Sequence, residues 1–256
     1  MKVVTSAHEL PSGCAFVPTM GALHAGHASL FTIAKKVHTN VVASIFVNPL
    51  QFEKQEDLDK YPRTPIEDID LAANSGVTHL WLPHYSEIYP EGFSTIKAGP
   101  IANLYEGKSR PGHFDGVVTV VRRLFDLVKP NFAVFGEKDF QQLILIEEIA
   151  QGIEIVRAPI IREADGLAMS SRNVRLTPEG RSTAAVISRA LSLAKSESEL
   201  REMLSSEPQL TLDYADFIDE ETFQPAQRDS TSVRAIVAGW INSVRLIDNM
   251  RMEARA

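Results

Sequence analysis

Residues 41–47 read VVASIFV, an almost unbroken apolar, largely β-branched run. A strand with one wet face alternates apolar with polar side chains. A run without that alternation is covered on both faces, as in parallel sheets flanked by helices. Comparable strand-sized segments stand at 14–18 (CAFVP), 77–83 (VTHLWLP), 131–136 (NFAVFG) and 153–159 (IEIVRAP). Helical spacing fills the intervals. Helices are expected from about His24 to Val37, from Thr64 to Asn74 and from about Lys138 to Gln151, and the apolar positions 114, 117, 118, 121, 124, 125 and 128 mark one face of a fourth. Thr64-Pro65 offers an N-cap with proline at the first helical position, and Gly76 a stop. Strands alternating with helices predict an α/β fold, a Rossmann-like parallel sheet with helices on both faces.

The pattern changes after residue 160. Asp165-Gly166 signals a hairpin, Thr177-Pro178 opens a helix by the same cap chemistry, and strand-like pieces follow at 212–218, 232–238 and 242–248. We therefore expect a Rossmann-like domain over 1–175 and a smaller C-terminal α+β domain over 176–256, a candidate lid. With 256 residues, 44% of them hydrophobic, a sizeable core is expected. The formal charge of −7 argues against nucleic acid as the main partner, though not against a locally basic pocket. One cysteine, Cys14, leaves no disulfide within the chain and fits a reducing compartment. The first residues carry no secretory pattern, and no apolar run is long enough for a bilayer. The expectation is a soluble cytoplasmic protein with neither nucleic acid nor membrane as partner.

Residues 17–27, VPTMGALHAGH, hold the sharpest chemical signal. His24 and His27 lie three apart where the first strand gives way to a helix, and ligands of parallel sheets bind beyond the carboxyl ends of strands. A helix N-terminus has free N–H groups and a positive dipole end, which attract phosphate. Residues three apart share a side of the helix. Gly21 and Gly26 remove side chains where a nucleotide must come close. Neither a Walker-type phosphate loop nor a GxGxxG turn occurs. The pair alone leaves simple packing and a zinc site open, although two histidines do not complete a zinc shell.

TMGALHAGH resembles the His-x-Gly-His signature of the nucleotidyltransferase superfamily, which includes class I aminoacyl-tRNA synthetases; these enzymes attack the α-phosphate of ATP and expel pyrophosphate. Five further segments stand in order: SIFVNPLQF (44–52), YPRTP (61–65), RPGHFDGV (110–117), FGEKDFQQL (135–143) and ADGLAMSSRN (164–173). Together they resemble the pantoate–β-alanine ligase (pantothenate synthetase) family from about Phe16 to Leu176, and again at VRLIDN (244–249). The resemblance implies condensation of pantoate with β-alanine, using ATP and Mg²⁺, through a pantoyl adenylate, in a homodimer. It makes the domain over 1–175 the catalytic one, binding nucleotide and pantoate. By motif position it implies that Met20, Gly21, Ala22, Leu23, His24, Ala25, Gly26 and His27 line the ATP site, with His27 as acid. It places Gly136, Glu137, Lys138, Asp139, Ile161, Met169, Ser170, Ser171 and Arg172 against ATP. Gln51 would hold pantoate and β-alanine, and Gln142 pantoate. His24, His27, Lys138 and Arg172 are the catalytic candidates.

The residue types suit those roles. Carboxylate attack on ATP brings two anions together, so charge must be neutralised on the phosphate oxygens. Lys138 offers a mobile ammonium, Arg172 a fork, and Ser170 and Ser171 hydroxyl donors. The imidazoles can donate N–H to departing pyrophosphate; one protonated ring is expected to help most, and nearby phosphate to raise its pKa. Neutral Gln51 and Gln142 leave the substrate carboxylate nucleophilic. An acyl adenylate hydrolyses readily, so segment 48–65 and a hinge near 175 are candidate lids. Each has an ordinary alternative: Lys138-Asp139 a plain helix start, Gln51 a loop residue, Ser170 to Arg172 a solvated turn. Arg110 and His113 are candidate β-alanine or phosphate contacts or parts of a basic surface loop. Glu67 and Asp68 read as solvated helix residues rather than Mg²⁺ ligands, with contact through metal-bound water as the alternative. Phe140 stands where the family often has tyrosine. A transferase acting on phosphate or sulfate would show a more basic acceptor pocket, and a non-catalytic nucleotide binder would lack part of the His24, His27, Lys138 and Arg172 set.

Overall fold

The computed structural model describes residues 1–252. Two compact units are present, one from Met1 to Pro159 and one beginning at Ile160.

In the first unit, strands β1 (Lys2–Val4), β2 (Ala15–Thr19), β3 (Val41–Ile45), β4 (His79–Trp81), β5 (Phe132–Gly136) and β6 (Glu154–Ala158) form one sheet in the order β1-β4-β3-β2-β5-β6. Every neighbouring pair is parallel. The connections carry helices α1 (Ala25–Val37), α2 (Gln55–Asp59), α3 (Pro65–Asn74), α4 (Tyr85–Ile88), α5 (Tyr105–Ser109), α6 (His113–Val128) and α7 (Phe140–Ile149). Alternating side chains point to opposite faces of a strand. Val17, Val41 and Val134 meet Phe31 and Ala34 of α1 in one apolar cluster. Phe135, next to Val134, turns the other way and meets Phe125 of α6 edge-on, ring centroids 6.3 Å apart. Both faces are thus covered, as the unalternating run at 41–47 required. The edge strand β1 was not read from the sequence; three residues are too short to show a period.

Strand order reverses between β2 and β5. Their pairing extends only over Ala15–Phe132 and Phe16–Ala133, so the two strands part before their carboxyl ends at Thr19 and Gly136. A crevice at such a switch point is where open α/β sheets bind ligands.

The second unit contains α8 (Pro178–Leu193), α9 (Glu197–Ser205) and an antiparallel sheet of β7 (Thr211–Asp219), β8 (Val233–Ile241) and β9 (Val244–Met252). Leu167, Ile187, Leu191, Leu200, Leu204, Phe217, Val237 and Leu246 form its core. The third strand starts at Val244, not 242, because Asn242 (φ 48°) and Ser243 (φ 62°) are both left-handed and make the two-residue hairpin turn. Thr177 caps α8 as expected, accepting from Gly180 N at 3.0 Å. Thr64 occupies the cap position of α3 but makes no side-chain cap bond.

The division at Pro159/Ile160 differs from the boundary expected near 175. Residues 160–169 form the predicted hairpin, with Met169 N donating to Ile161 O and Glu163 N to Leu167 O. Arg162 then reaches Asp248 of β9 at 2.6 and 3.0 Å, and Glu163 accepts from Arg181 of α8 at 2.6 Å. These ion pairs bind the hairpin to the second core.

Candidate active site

At the end of β2, Thr19 Oγ1 donates to Ser44 O (2.8 Å) and accepts from Gly21 N (3.3 Å). The backbone then turns sharply, with Gly21 at φ +81° and Ala22 at φ 48°. A Cβ on Gly21 would sit a tight 3.0 Å from both Asp68 Oδ2 and Ile45 Cγ2, and the left-handed φ alone favours glycine here. The turn aims two amides at one carboxylate. Ala22 N donates to Asp68 Oδ2 at 3.0 Å and Leu23 N to Oδ1 at 2.7 Å, while Thr64 Oγ1 donates to Oδ1 at 3.0 Å. Asp68 is 2% exposed. It is therefore not the solvated helix residue that its position suggested; Glu67 beside it is exposed.

His24 and His27 make the N-terminal cap of α1. Gly26 N donates to His24 Nδ1 at 3.1 Å, and His24 N donates to His27 Nδ1 at 3.2 Å. This is a capping box with imidazoles in both places, where Ser/Thr and Glu usually stand. A backbone N–H can only donate, so each Nδ1 is an acceptor and the proton of each neutral ring sits on Nε2. The rings lie 4.2 Å apart, tilted by 46°. The His27 pKa is pushed down to about 3, first by burial, then by the neighbouring His24; Asp139 opposes this and Lys138 adds to it. Burial and the neighbouring His24 and Lys138 thus favour the neutral form of the His27 ring.

Lys138 and Asp139 lie in a 3₁₀ turn (Glu137–Asp139) between Gly136 and α7, with Nζ 4.0 Å from the Asp139 carboxylate. Both act electrostatically on His27, which places the β5 terminus beside the cap of α1. Gln142 is partly buried on the first turn of α7. Its neighbour Gln141 is buried and structural, accepting from Glu106 N (3.1 Å) and donating to Ile101 O (2.8 Å) and Leu104 O (2.9 Å). The bulky side chain of Phe140 is buried.

Gln51 sits in a 3₁₀ turn, Pro49–Gln51, that is pinned from several sides. Asn48, 1% exposed, donates to Gln51 Oε1 (2.9 Å) and Gly116 O (3.1 Å), and its Oδ1 accepts from Leu50 N (3.2 Å) and the Tyr89 hydroxyl (2.7 Å). His113 Nδ1 lies 2.8 Å from Gln51 O; a carbonyl only accepts, so that nitrogen carries the proton. His113 is therefore a buried support of the Gln51 turn. Arg110 faces the buried Glu106 at 3.7 Å. Asn48 and Tyr89, which hold the Gln51 turn, were not singled out from the sequence, and Asp68 was weighed only as a solvated helix residue or an indirect Mg²⁺ contact. Only Asn48, as a cap before Pro49, left a local trace.

The remaining predicted contacts, Ile161, Met169, Ser170, Ser171 and Arg172, belong to the second unit. Ile161 and Met169 are bonded across the hairpin. Ser170 Oγ accepts from Arg172 N at 3.3 Å and starts the 3₁₀ helix Ser171–Arg175. Asn173 clamps the segment by donating to Glu163 Oε1 (2.9 Å) and Ala168 O (3.1 Å).

Among the described residues, no three His, Cys, Asp or Glu side chains group as a metal cage. The best-buried carboxylate nearby, Asp68, is already filled by three protein donors. Mg²⁺ commonly takes only one or two carboxylates, so an ion carried by ATP would draw most of its ligands from phosphate and water oxygens. Burial pushes the Cys14 thiol up to about 12, which leaves it unsuited as a nucleophile. No helix among the described residues is long and apolar enough to cross a membrane.

A family model described as pantoate-beta-alanine ligase matches residues 2–251. The pantothenate synthetase of Caldicellulosiruptor bescii is 44% identical over 257 residues, covering 94% of this chain and 91% of its own. The crystal structure of pantothenate synthetase from Thermus thermophilus matches with a TM-score of 0.92 at 43% identity, over 98% of this chain and 99% of that one. The pantoate-beta-alanine ligase of Francisella tularensis, complexed with β-γ ATP and β-alanine, matches with a TM-score of 0.85 at 36% identity, over 98% and 97%. The chain belongs to the pantoate–β-alanine ligase family.

Proposed function

We propose that this chain joins pantoate to β-alanine, driven by ATP, in two steps. The pantoate carboxylate oxygen attacks the α-phosphorus, the bond from that phosphorus to the bridging oxygen breaks, and pyrophosphate leaves. The β-alanine amine then attacks the acyl carbon of pantoyl adenylate, AMP leaves, and the nitrogen gives up a proton. The observation that carries this reading is the pair of Nε2–H donors at the start of α1, electrostatically coupled to Lys138 at the neighbouring strand end. Donors fixed before the reaction stabilise charge developing on phosphate without reorganising. The β-γ ATP and β-alanine held by the Francisella relative support the same pair of substrates here.

His24, His27, Lys138 and Arg172 are assigned to the phosphates. Met20 to Ala25, Gly26, Gly136, Glu137, Asp139, Ile161 and Met169 to Ser171 are assigned to ATP more broadly. Gln51 is assigned to pantoate and β-alanine, and Gln142 to pantoate. Mg²⁺ is assigned as part of the nucleotide substrate. We place the protein in the cytoplasm as a homodimer. The tightly bonded 48–51 turn favours a lid confined to residues beyond Phe52.

The test is pyrophosphate release from ATP with pantoate present or absent, followed by AMP release on adding β-alanine. Pyrophosphate release that requires pantoate, and AMP release that requires β-alanine, are expected. Pyrophosphate formed at the same rate without pantoate would overturn the assignment.

A further inference from the structure

We propose that Asp68 is a positioning residue for adenylate formation, an internal anion that holds the 21–23 turn in the shape that delivers His24 and His27. This rests on the ligase reading above. Two successive left-handed residues, Gly21 and Ala22, make consecutive backbone amides converge, and such a concavity takes an anion. Next to a nucleotide site the obvious occupant is a phosphate. Here the occupant is the chain's own carboxylate, at 3.0 Å from Ala22 N and 2.7 Å from Leu23 N. The phosphate-facing donors must therefore come from the next residues, the imidazole cap.

The carboxylate is itself secured. It lies in the first turn of α3, whose positive end favours it. Thr64, which could have capped that helix, donates its hydroxyl to Asp68 at 3.0 Å. Asp68 thus links α3 to the backbone one residue before His24. The His24 amide in turn fixes His27 through Nδ1, so the chain of contacts runs from a buried carboxylate to both rings. The left-handed form of Ala22 is disfavoured for a residue bearing Cβ, and needs a partner to hold it.

Asp68→Asn keeps one oxygen acceptor but sets an amide N–H₂ against a backbone N–H, that of Ala22 or, after flipping, that of Leu23. The ligase reading assigns the imidazoles to the departing pyrophosphate, so the two half-reactions should separate. We expect pantoate-dependent pyrophosphate release to fall about 100-fold in kcat, the scale of an ångström-sized misplacement, with KM for ATP within about threefold. AMP release from supplied pantoyl adenylate and β-alanine should stay within about twofold of the unsubstituted enzyme. Equal loss in both half-reactions, or loss in neither, would overturn the proposal. Should Asp68→Asn not fold, Thr64→Val, which removes one donor, is read by the same criterion. Failure of the ligase reading itself would show separately, as pantoate-independent pyrophosphate release by the unsubstituted enzyme.

Discussion

An imidazole that accepts a backbone amide on Nδ1 cannot become an imidazolium without breaking that bond, and both His24 and His27 are in this position. The capping role and the proposed chemical role are therefore one arrangement: the bonds that start α1 also fix which nitrogen carries the proton. His27 should show an Nε2–H tautomer and no titration between pH 7.5 and about 5, consistent with a pKa near 3. Imidazole ¹⁵N chemical shifts across that range would check this, and a protonation step near 6.5 would contradict it. The sign for stability follows. Below the ordinary histidine pKa of 6.5 the unfolded chain takes up a proton that folded His27 refuses. Its contribution is complete above about 6.5 and is lost progressively as pH falls toward 3. Chemical-denaturation midpoints measured from pH 7.5 down to 4 should fall, and His27→Gln should flatten that slope.

Elements became legible from the sequence wherever the signal was local, and the site became legible only in part for the same reason. The unalternating strands, the helix spacing at 114–128 and the histidine pair are read within a few residues of one another. The Gln51 turn is not. It is held by Gly116, 68 residues from Asn48, and by Tyr89, 41 residues away, and neither announces this in its own neighbourhood. Asp68 was misread because a helix-face pattern cannot show that Leu23, 45 residues earlier, has claimed its carboxylate. The close approach of α6 to this turn gives a test at the scale of elements. A Cβ on Gly116 would lie 2.3 Å from Leu50 O and 2.7 Å from Gln51 N, both backbone atoms that cannot swing aside. Gly116→Ala should therefore push the turn off α6, lower stability by about 1–3 kcal/mol, and raise KM for pantoate about tenfold or more. Steady-state kinetics with varied pantoate, beside a thermal melt, would check it; unchanged KM would detach Gln51 from pantoate binding.

At the scale of the whole molecule, two cores divide the chain, and the place of division decides what can stand alone. The composition change near 175 marks where the helical segment begins, but the energetic boundary lies upstream. Leu167 belongs to the second core, and Asp248, 4% exposed, has Arg162 as its ion-pair partner. Glu163 further joins Asn173 to Arg181, and its carboxyl is held below the usual range, most strongly by the Arg181 hydrogen bond. A fragment starting at Ile160 keeps all of these, whereas one starting at Leu176 takes Arg162 away from Asp248 and removes Leu167. Losing this partly buried pair costs at most about 3–5 kcal/mol, and losing a buried leucine about 1.5–3 kcal/mol. Domain stabilities are about 5–15 kcal/mol, with short domains at the low end. The two losses thus consume most of what a unit this short can have. The Ile160 fragment is expected to melt cooperatively in calorimetry, and the Leu176 fragment to show no cooperative transition. Equal melting of both would mean that the hairpin is an appendage of the second core rather than part of it.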